Sequence, residues 1–296
     1  MNDSRTDSVL STQHLGKTIG GRAILSDISV SLDRGDVVGV IGKNGAGKTT
    51  LLETVLGFSP ATAGSSQIYG HDSFMLPAAV KSRVGFVPQQ DDLMGMLTGK
   101  QQLGLVAALY GGWDSGLIDR LAGEWEVPLQ QRIATLSGGE RQKLSTLLAL
   151  GHRPDLLVLD EPVSSLDPIA RRRFLQQILE YTADQQRTVL FSSHIVSDLE
   201  RVANRIWIIR DGQMIWQGDL DALKESVVRL HVRASQPLPA SLDIPHTLFE
   251  QVTGTSAVVA VSHWEQSDPA AVSRRLNADI EVEALGLEDI FLELNR

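Results

Sequence analysis

Eight consecutive residues, Gly42-Lys-Asn44-Gly45-Ala46-Gly47-Lys48-Thr49, combine three glycines with two lysines and a hydroxyl. That composition suits a chain of phosphates. Glycines let backbone N–H groups close around phosphate oxygens without a side-chain clash. The apolar run 37–41 precedes the loop, and Thr50-Leu-Leu-Glu53-Thr-Val-Leu56 follows it as a helix start. A strand, a Gly-rich loop and a helix in that order distinguish a phosphate-binding loop from a turn of similar composition. The helix N-terminus adds a partial positive charge. Lys48 is then expected to reach the β- and γ-phosphates of a nucleoside triphosphate, and the Thr49 hydroxyl to ligate Mg²⁺.

A second apolar run, Leu156-Leu-Val-Leu159, ends in Asp160-Glu161-Pro162. Beside a phosphate loop, Asp160 has the chemistry to hold the water shell of Mg²⁺. Glu161 has the type and position of a general base that polarises the attacking water. Taken alone, the pair is equally an acidic turn closing a strand. Thr188-Val-Leu-Phe191-Ser-Ser-His194 is another strand ending in polar residues. His194 suits a hydrogen bond to a γ-phosphate and the orientation of Glu161 or its water. A lone histidine at a strand end is more often ordinary surface chemistry.

Between these segments lies Leu136-Ser137-Gly138-Gly139-Glu140-Arg-Gln142-Lys143. With the phosphate loop, Asp160-Glu161 and His194, it resembles the ATP-binding cassette family, whose signature motif it matches. Val87-Pro88-Gln89 looks like that family's Q-loop, and Ser164-Ser165-Leu166-Asp167 like its D-loop. The ordered motifs cover about 15–218. The resemblance implies ATP and Mg²⁺ as cofactors, with Gln89 sensing Mg²⁺ and the γ-phosphate. It also implies two cassettes joined head to tail, with Ser137, Gly138 and Gly139 of one contacting the ATP held by residues 42–50 of the other, Thr50 included, and Asp167 communicating across the pair. A homodimer is the default by symmetry, and a heterodimer with a related cassette is the alternative. Lys48, Gln89, Glu161 and His194 are all present, so an active hydrolase is expected.

One position departs from the family pattern. An aromatic residue usually precedes the phosphate loop and stacks on adenine, whereas Leu15-Gly-Lys17-Thr-Ile19-Gly20-Gly21 offers Ile19. Base–aromatic stacking is worth about 1–3 kcal/mol, so weaker or less selective adenine binding is expected, with apolar contact from Ile19 in its place.

The elements that must position these groups are legible at coarse grain. Strand–helix alternation over 11–90 and again over 153–219, including a helix over 169–185, predicts an α/β P-loop NTPase core with a parallel sheet. Residues 91–150 are rich in helix formers and form the expected helical signature subdomain. After Lys224 the composition changes. Strands at 227–232, 257–261 and 281–285, with helices at 269–277 and 287–294, predict a small C-terminal α+β domain over 225–296, leaving 8–224 as the nucleotide-binding domain.

Of 296 residues, 42% are hydrophobic and 21% charged, the balance of a globular protein. Residues 1–7 are polar and expected to be mobile. No stretch approaches the roughly 18 apolar residues of a membrane span, and the N-terminus lacks a secretion-signal layout. With no cysteines there is neither a disulfide framework nor a thiolate metal site. The net charge of −9 argues against a nucleic-acid partner.

The ending Glu281-Val-Glu-Ala-Leu285-Gly-Leu287-Glu288-Asp289-Ile-Phe291-Leu-Glu-Leu294 resembles cassettes of type-2 ABC exporters. It also reads as a plain amphipathic helix closing a small domain. The resemblance implies an ATPase subunit, peripheral at the cytoplasmic face of the membrane, driving separate transmembrane permease subunits. The alternative is a soluble ABC-type ATPase for protein assembly or regulation.

Overall fold

The computed structural model describes residues 8–183 and 186–296. The segment 1–7 and the last two residues of the helix expected over 169–185 lie outside these. The helix itself is Pro168–Thr182. Contacts divide the chain into two compact units, Met1–Gln217 and Gly218–Arg296. The division falls a few residues ahead of the composition change after Lys224.

The first unit is built on a six-stranded sheet. Its order is Gln213–Asp219, Arg205–Arg210, Val37–Ile41, Thr188–Ser192, Leu156–Asp160, Val84–Val87. The last five of these strands pair in parallel. Every residue of Val37–Ile41, Leu156–Asp160 and Thr188–Ser192 is buried. Parallel strands covered on both faces need continuous apolar runs, which is the pattern these segments carry.

A second sheet was not separable in the sequence. Ser8–Ile19 pairs antiparallel with Arg22–Ile28, Ser31–Asp33 and Ala63–Ile68. In these strands buried residues are interrupted by exposed polar ones, so no long apolar run marks them. One apolar cluster joins both sheets, from Leu10, Leu15 and Ile28 to Val38, Leu51 and Val158, all nearly inaccessible to solvent. Residues 91–150 supply the helices Gly99–Ala107, Ser115–Glu124 and Gly138–Leu150. Thr98 starts the first with a capping box completed by Gln101.

The second unit opens with the helix Leu220–Ser226 and holds an antiparallel sheet ordered Thr247–Thr253, Ser256–Val261, Val228–Ala234, Ala278–Ala284. Leu230, Val232, Val259 and Val261 fill its core. Thr247–Thr253 has no residue fully buried. It is an edge strand whose apolar residues Leu248, Phe249 and Val252 are only partly covered and form no continuous run. The closing helix Leu287–Leu294 buries Leu287, Ile290 and Glu293. Glu293 accepts a 3.0 Å hydrogen bond from Arg229 on the central strand.

The helix after the phosphate loop, Lys48–Val55, ends in a Schellman motif. The Phe58 N–H donates to the Glu53 carbonyl at 3.0 Å and the Gly57 N–H to the Thr54 carbonyl at 3.1 Å. Gly57 has φ +77°, and a Cβ there would lie 2.1 Å from the Ser73 carbonyl oxygen. Gly57→Ala is therefore expected to lower unfolding stability by more than about 1 kcal/mol, read as a lower midpoint in urea denaturation.

Candidate nucleotide-binding and hydrolysis site

Parallel register brings the predicted residues to one edge of the sheet. Val40 lies opposite Ser192, Ser192 opposite Asp160, and Leu159 opposite Val87. The strands that end at the phosphate loop, at Ser192, at Asp160 and just before Gln89 thus finish side by side. Outside the carboxyl ends of such strands is where open α/β sheets bind ligands.

There the phosphate loop borders a cavity of about 390 Å³ whose wall includes Asn44, Gly45, Lys48, Thr49, Gln89 and Glu161. Gly47 and Thr50 also line it. Gly47 precedes the helix with φ 106° and provides no side-chain cap, so the first helical N–H groups meet no capping oxygen from it. Those donors and the Lys48 ammonium fit a phosphate chain. Lys48 is buried, its Nζ donating to the Gly42 carbonyl at 2.8 Å and standing 3.4 Å from Glu161 Oε1. Ala46 is buried beneath the loop, and its carbonyl accepts from the Gly212 N–H at 3.0 Å.

The carboxylates sit deeper. Glu161 is 5% exposed and Asp160 1%. Glu161 Oε2 accepts from the His194 backbone N–H at 3.2 Å and lies 2.6 Å from His194 Nδ1. One carboxylate oxygen therefore faces Lys48 and the other faces His194. Glu161 itself is held at φ +50°, a left-handed conformation that is uncommon outside glycine and clusters at functional sites.

Ser192 joins the two acids. Its hydroxyl donates to Asp160 Oδ1 at 2.5 Å and accepts from the Glu161 N–H at 2.9 Å. The sequence showed a hydroxyl in a polar strand end but not its partners, which only pairing with the acidic strand supplies. Ile24 is a second missed residue, lining the cavity from the antiparallel sheet. Ile19 lies at the tip of that hairpin, paired with Arg22 and 53% exposed.

The residues expected to hold Mg²⁺ carry oxygen donors of the kind that cation takes. The Thr49 hydroxyl donates to Gln89 Oε1 at 3.3 Å, and Asp160 Oδ2 is buried without a hydrogen-bond partner. A hydroxyl, a carboxamide and a carboxylate are the hard oxygens this cation takes.

Ser137, Gly138 and Gly139 stand apart from the residues lining that cavity. Ser137 caps the helix Gly138–Leu150 in a capping box with Glu140. The Ser137 backbone N–H, with help from its hydroxyl, holds the Glu140 carboxyl below the usual range. A Cβ on Gly139 would lie 2.9 Å from the Ser165 carbonyl oxygen. The signature thus abuts the segment leading to Asp167. Asp167 accepts from the Ile169 and Ala170 N–H groups, and the Ala170 bond is the larger cause of its lowered pKa.

Comparison with known proteins agrees with this geometry. The ABC transporter family matches residues 25–164. The Nod factor export ATP-binding protein I of Burkholderia lata (strain 383) is 31% identical over 294 residues, covering 95% of each chain. The chain belongs to the ABC transporter ATP-binding cassette family. The ABC transporter ATP-binding protein YtrB of Bacillus subtilis (strain 168) is 30% identical over 224 residues, 76% of each chain. A solved ATP-binding subunit of an ABC transporter is 28% identical, with a TM-score of 0.65 over 73% of this chain and 92% of that one. The fold is that of ABC ATPases, and the activity is ATP binding and hydrolysis.

Removing the Ser192 hydroxyl would leave Asp160 Oδ1 buried without its donor. Ser192→Ala is expected to cost about 1–3 kcal/mol of stability and to lower ATPase turnover. Urea denaturation and a phosphate-release assay check the two effects.

Proposed function

We propose that this chain is the ATP-hydrolysing subunit of an exporter, working as a dimer that sandwiches two ATP and drives separate transmembrane permease subunits. It would act as a peripheral protein at the cytoplasmic face of the membrane. The observation that carries the dimer is the division of the machinery. The phosphate loop, Gln89 and Glu161 line one cavity and His194 is bonded to Glu161, whereas Ser137 and Gly138 are exposed at the start of another helix. An exposed helix N-terminus suits the phosphates of an ATP held by a second cassette. The export reading is supported by an export ATP-binding relative similar over nearly the whole length, second unit included. Among the described residues no helix is long and apolar enough to cross a membrane.

In this reading Lys48 and the loop N–H groups bind the phosphate chain, and Glu161 accepts the proton of the attacking water. The His194 contact fixes the carboxylate rotamer, and Lys48 balances its charge in the low-dielectric wall. Thr49, Gln89 and Asp160 would hold Mg²⁺, which when bound neutralises charge on the β- and γ-phosphates. Asp167, at the start of its helix beside the signature, is positioned for the partner cassette.

Glu161→Gln is expected to bind ATP but not turn it over, trapping the closed dimer. Purified from detergent-solubilised membranes with ATP and Mg²⁺, it should bring a multi-span membrane protein with it. Recovery with soluble proteins alone, from the cytosolic fraction, would favour an assembly or regulatory ATPase instead. Ile19→Tyr is expected to tighten ATP binding by about 1 kcal/mol or more through stacking, and unchanged affinity in calorimetry would remove Ile19 from the adenine site.

A further inference from the structure

Gln89 follows a strand that stops short of it. The parallel pairing of Val84–Val87 ends at Val87 opposite Leu159, so the sheet does not hold the chain beyond that point. From Pro88 to Leu97 the chain runs to the helical region and is tied there. The Met94 N–H donates to Gln102 Oε1 at 2.9 Å. The Ala134 N–H donates to the Gly95 carbonyl at 3.0 Å, and the Ile133 N–H to the Leu97 carbonyl at 2.9 Å.

Closer to Gln89 is a tether of another kind. Asp91, with a side chain only 15% exposed, places Oδ2 3.1 Å from Arg141 Nε. Arg141 lies near the start of the signature helix, where its own N–H donates to the Ser137 carbonyl at 3.0 Å. The carboxylate is covered while the Arg141 side chain is 42% exposed, so the pair matters as a geometric tether rather than as a source of stability. Two residues of chain span at most about 7 Å. There is little slack between Asp91, anchored on the signature helix, and Gln89, whose Oε1 meets the Thr49 hydroxyl.

We propose that Arg141 is a positioning residue for ATP hydrolysis: through Asp91 it holds Gln89 against Thr49. The pair thereby links the Mg²⁺ side of a chain's own nucleotide cavity to the helix whose N-terminus carries Ser137 and Gly139. This rests on the reading that Thr49 and Gln89 hold the cation. A movement of Gln89 on Mg²⁺–ATP binding is passed to the signature helix by a salt bridge, and a movement of that helix is passed back to Gln89.

The test uses the full chain with Arg141→Ala, Asp91→Asn, and the reversed pair Asp91→Arg with Arg141→Asp. Each single change is expected to lower kcat on the order of tenfold, the scale of loss from a small misplacement. ATP affinity without Mg²⁺ should be unchanged. In a Glu161→Gln background, calorimetry should show that the gain in ATP affinity on adding Mg²⁺ shrinks in both single variants and returns in the reversed pair. A purely structural role would move the melting temperature but not this Mg²⁺ gain. If Arg141→Ala does not fold, Arg141→Lys keeps the charge, lacks the Nε–H that meets Asp91, and carries the same expectation. Wild-type kcat and an intact Mg²⁺ gain in the single variants overturn the proposal, as does a reversed pair no better than either single change. Absence of any Mg²⁺ gain in Glu161→Gln alone overturns instead the metal reading of Thr49 and Gln89.

Discussion

The site depends on the parallel register at the centre of the main sheet. Val37–Ile41, Thr188–Ser192 and Leu156–Asp160 lie side by side and end at the same edge. That one constraint delivers the phosphate loop, the Ser192 hydroxyl and the two carboxylates to a common place. A shift of a single residue along any of these strands would turn its apolar side chains over and carry its last residue out of the site. The apolar runs bury these strands on both faces, and the parallel pairing fixes which residues end at the site.

Around this edge, charge is concentrated on side chains that are almost wholly buried. Lys48 and Glu161 are both almost wholly buried and 3.4 Å apart. Either alone would be a buried, uncompensated charge, which is strongly unfavourable. Glu161 is bonded further by His194 and its N–H by Ser192, and these contacts over-determine a backbone that residues other than glycine avoid. The positive φ at Glu161 is strain held in place by its neighbours, as expected where a carboxylate must be aimed rather than merely buried.

Beyond the sheet, the helical region has its own logic. Helix caps at Thr98 and Ser137 define where its helices begin, and Trp125 packs against Phe174 with ring centroids 6.0 Å apart to seat it near the helix that follows Asp167. The chain from Gln89 into this region leads from the cavity toward the signature helix, with the Asp91–Arg141 pair along its way. The second unit uses different devices, an antiparallel sheet and a closing helix pinned by Arg229 and Glu293, a part-buried arginine satisfying a carboxylate that is almost fully enclosed.

The sequence by itself determined the phosphate loop, the acidic strand end, the signature and the central strands, because each is a local pattern. A Gly-rich turn, a capping serine or a run of five buried residues has the same cause wherever the chain carries it. The residue types at 42–50, at 160 and 161, and at 137–139 also sufficed to place the chain in its family. Only the tertiary structure decided that Ser192 bridges Asp160 and Glu161, that Glu161 is strained and shared between Lys48 and His194, and that Asp91 reaches Arg141. The antiparallel sheet and the edge strand Thr247–Thr253 were also its decision. These contacts join residues from about 30 to more than 110 positions apart in the chain, or lie on faces half open to solvent. Neither circumstance leaves a local pattern, so both wait on the packing of distant segments.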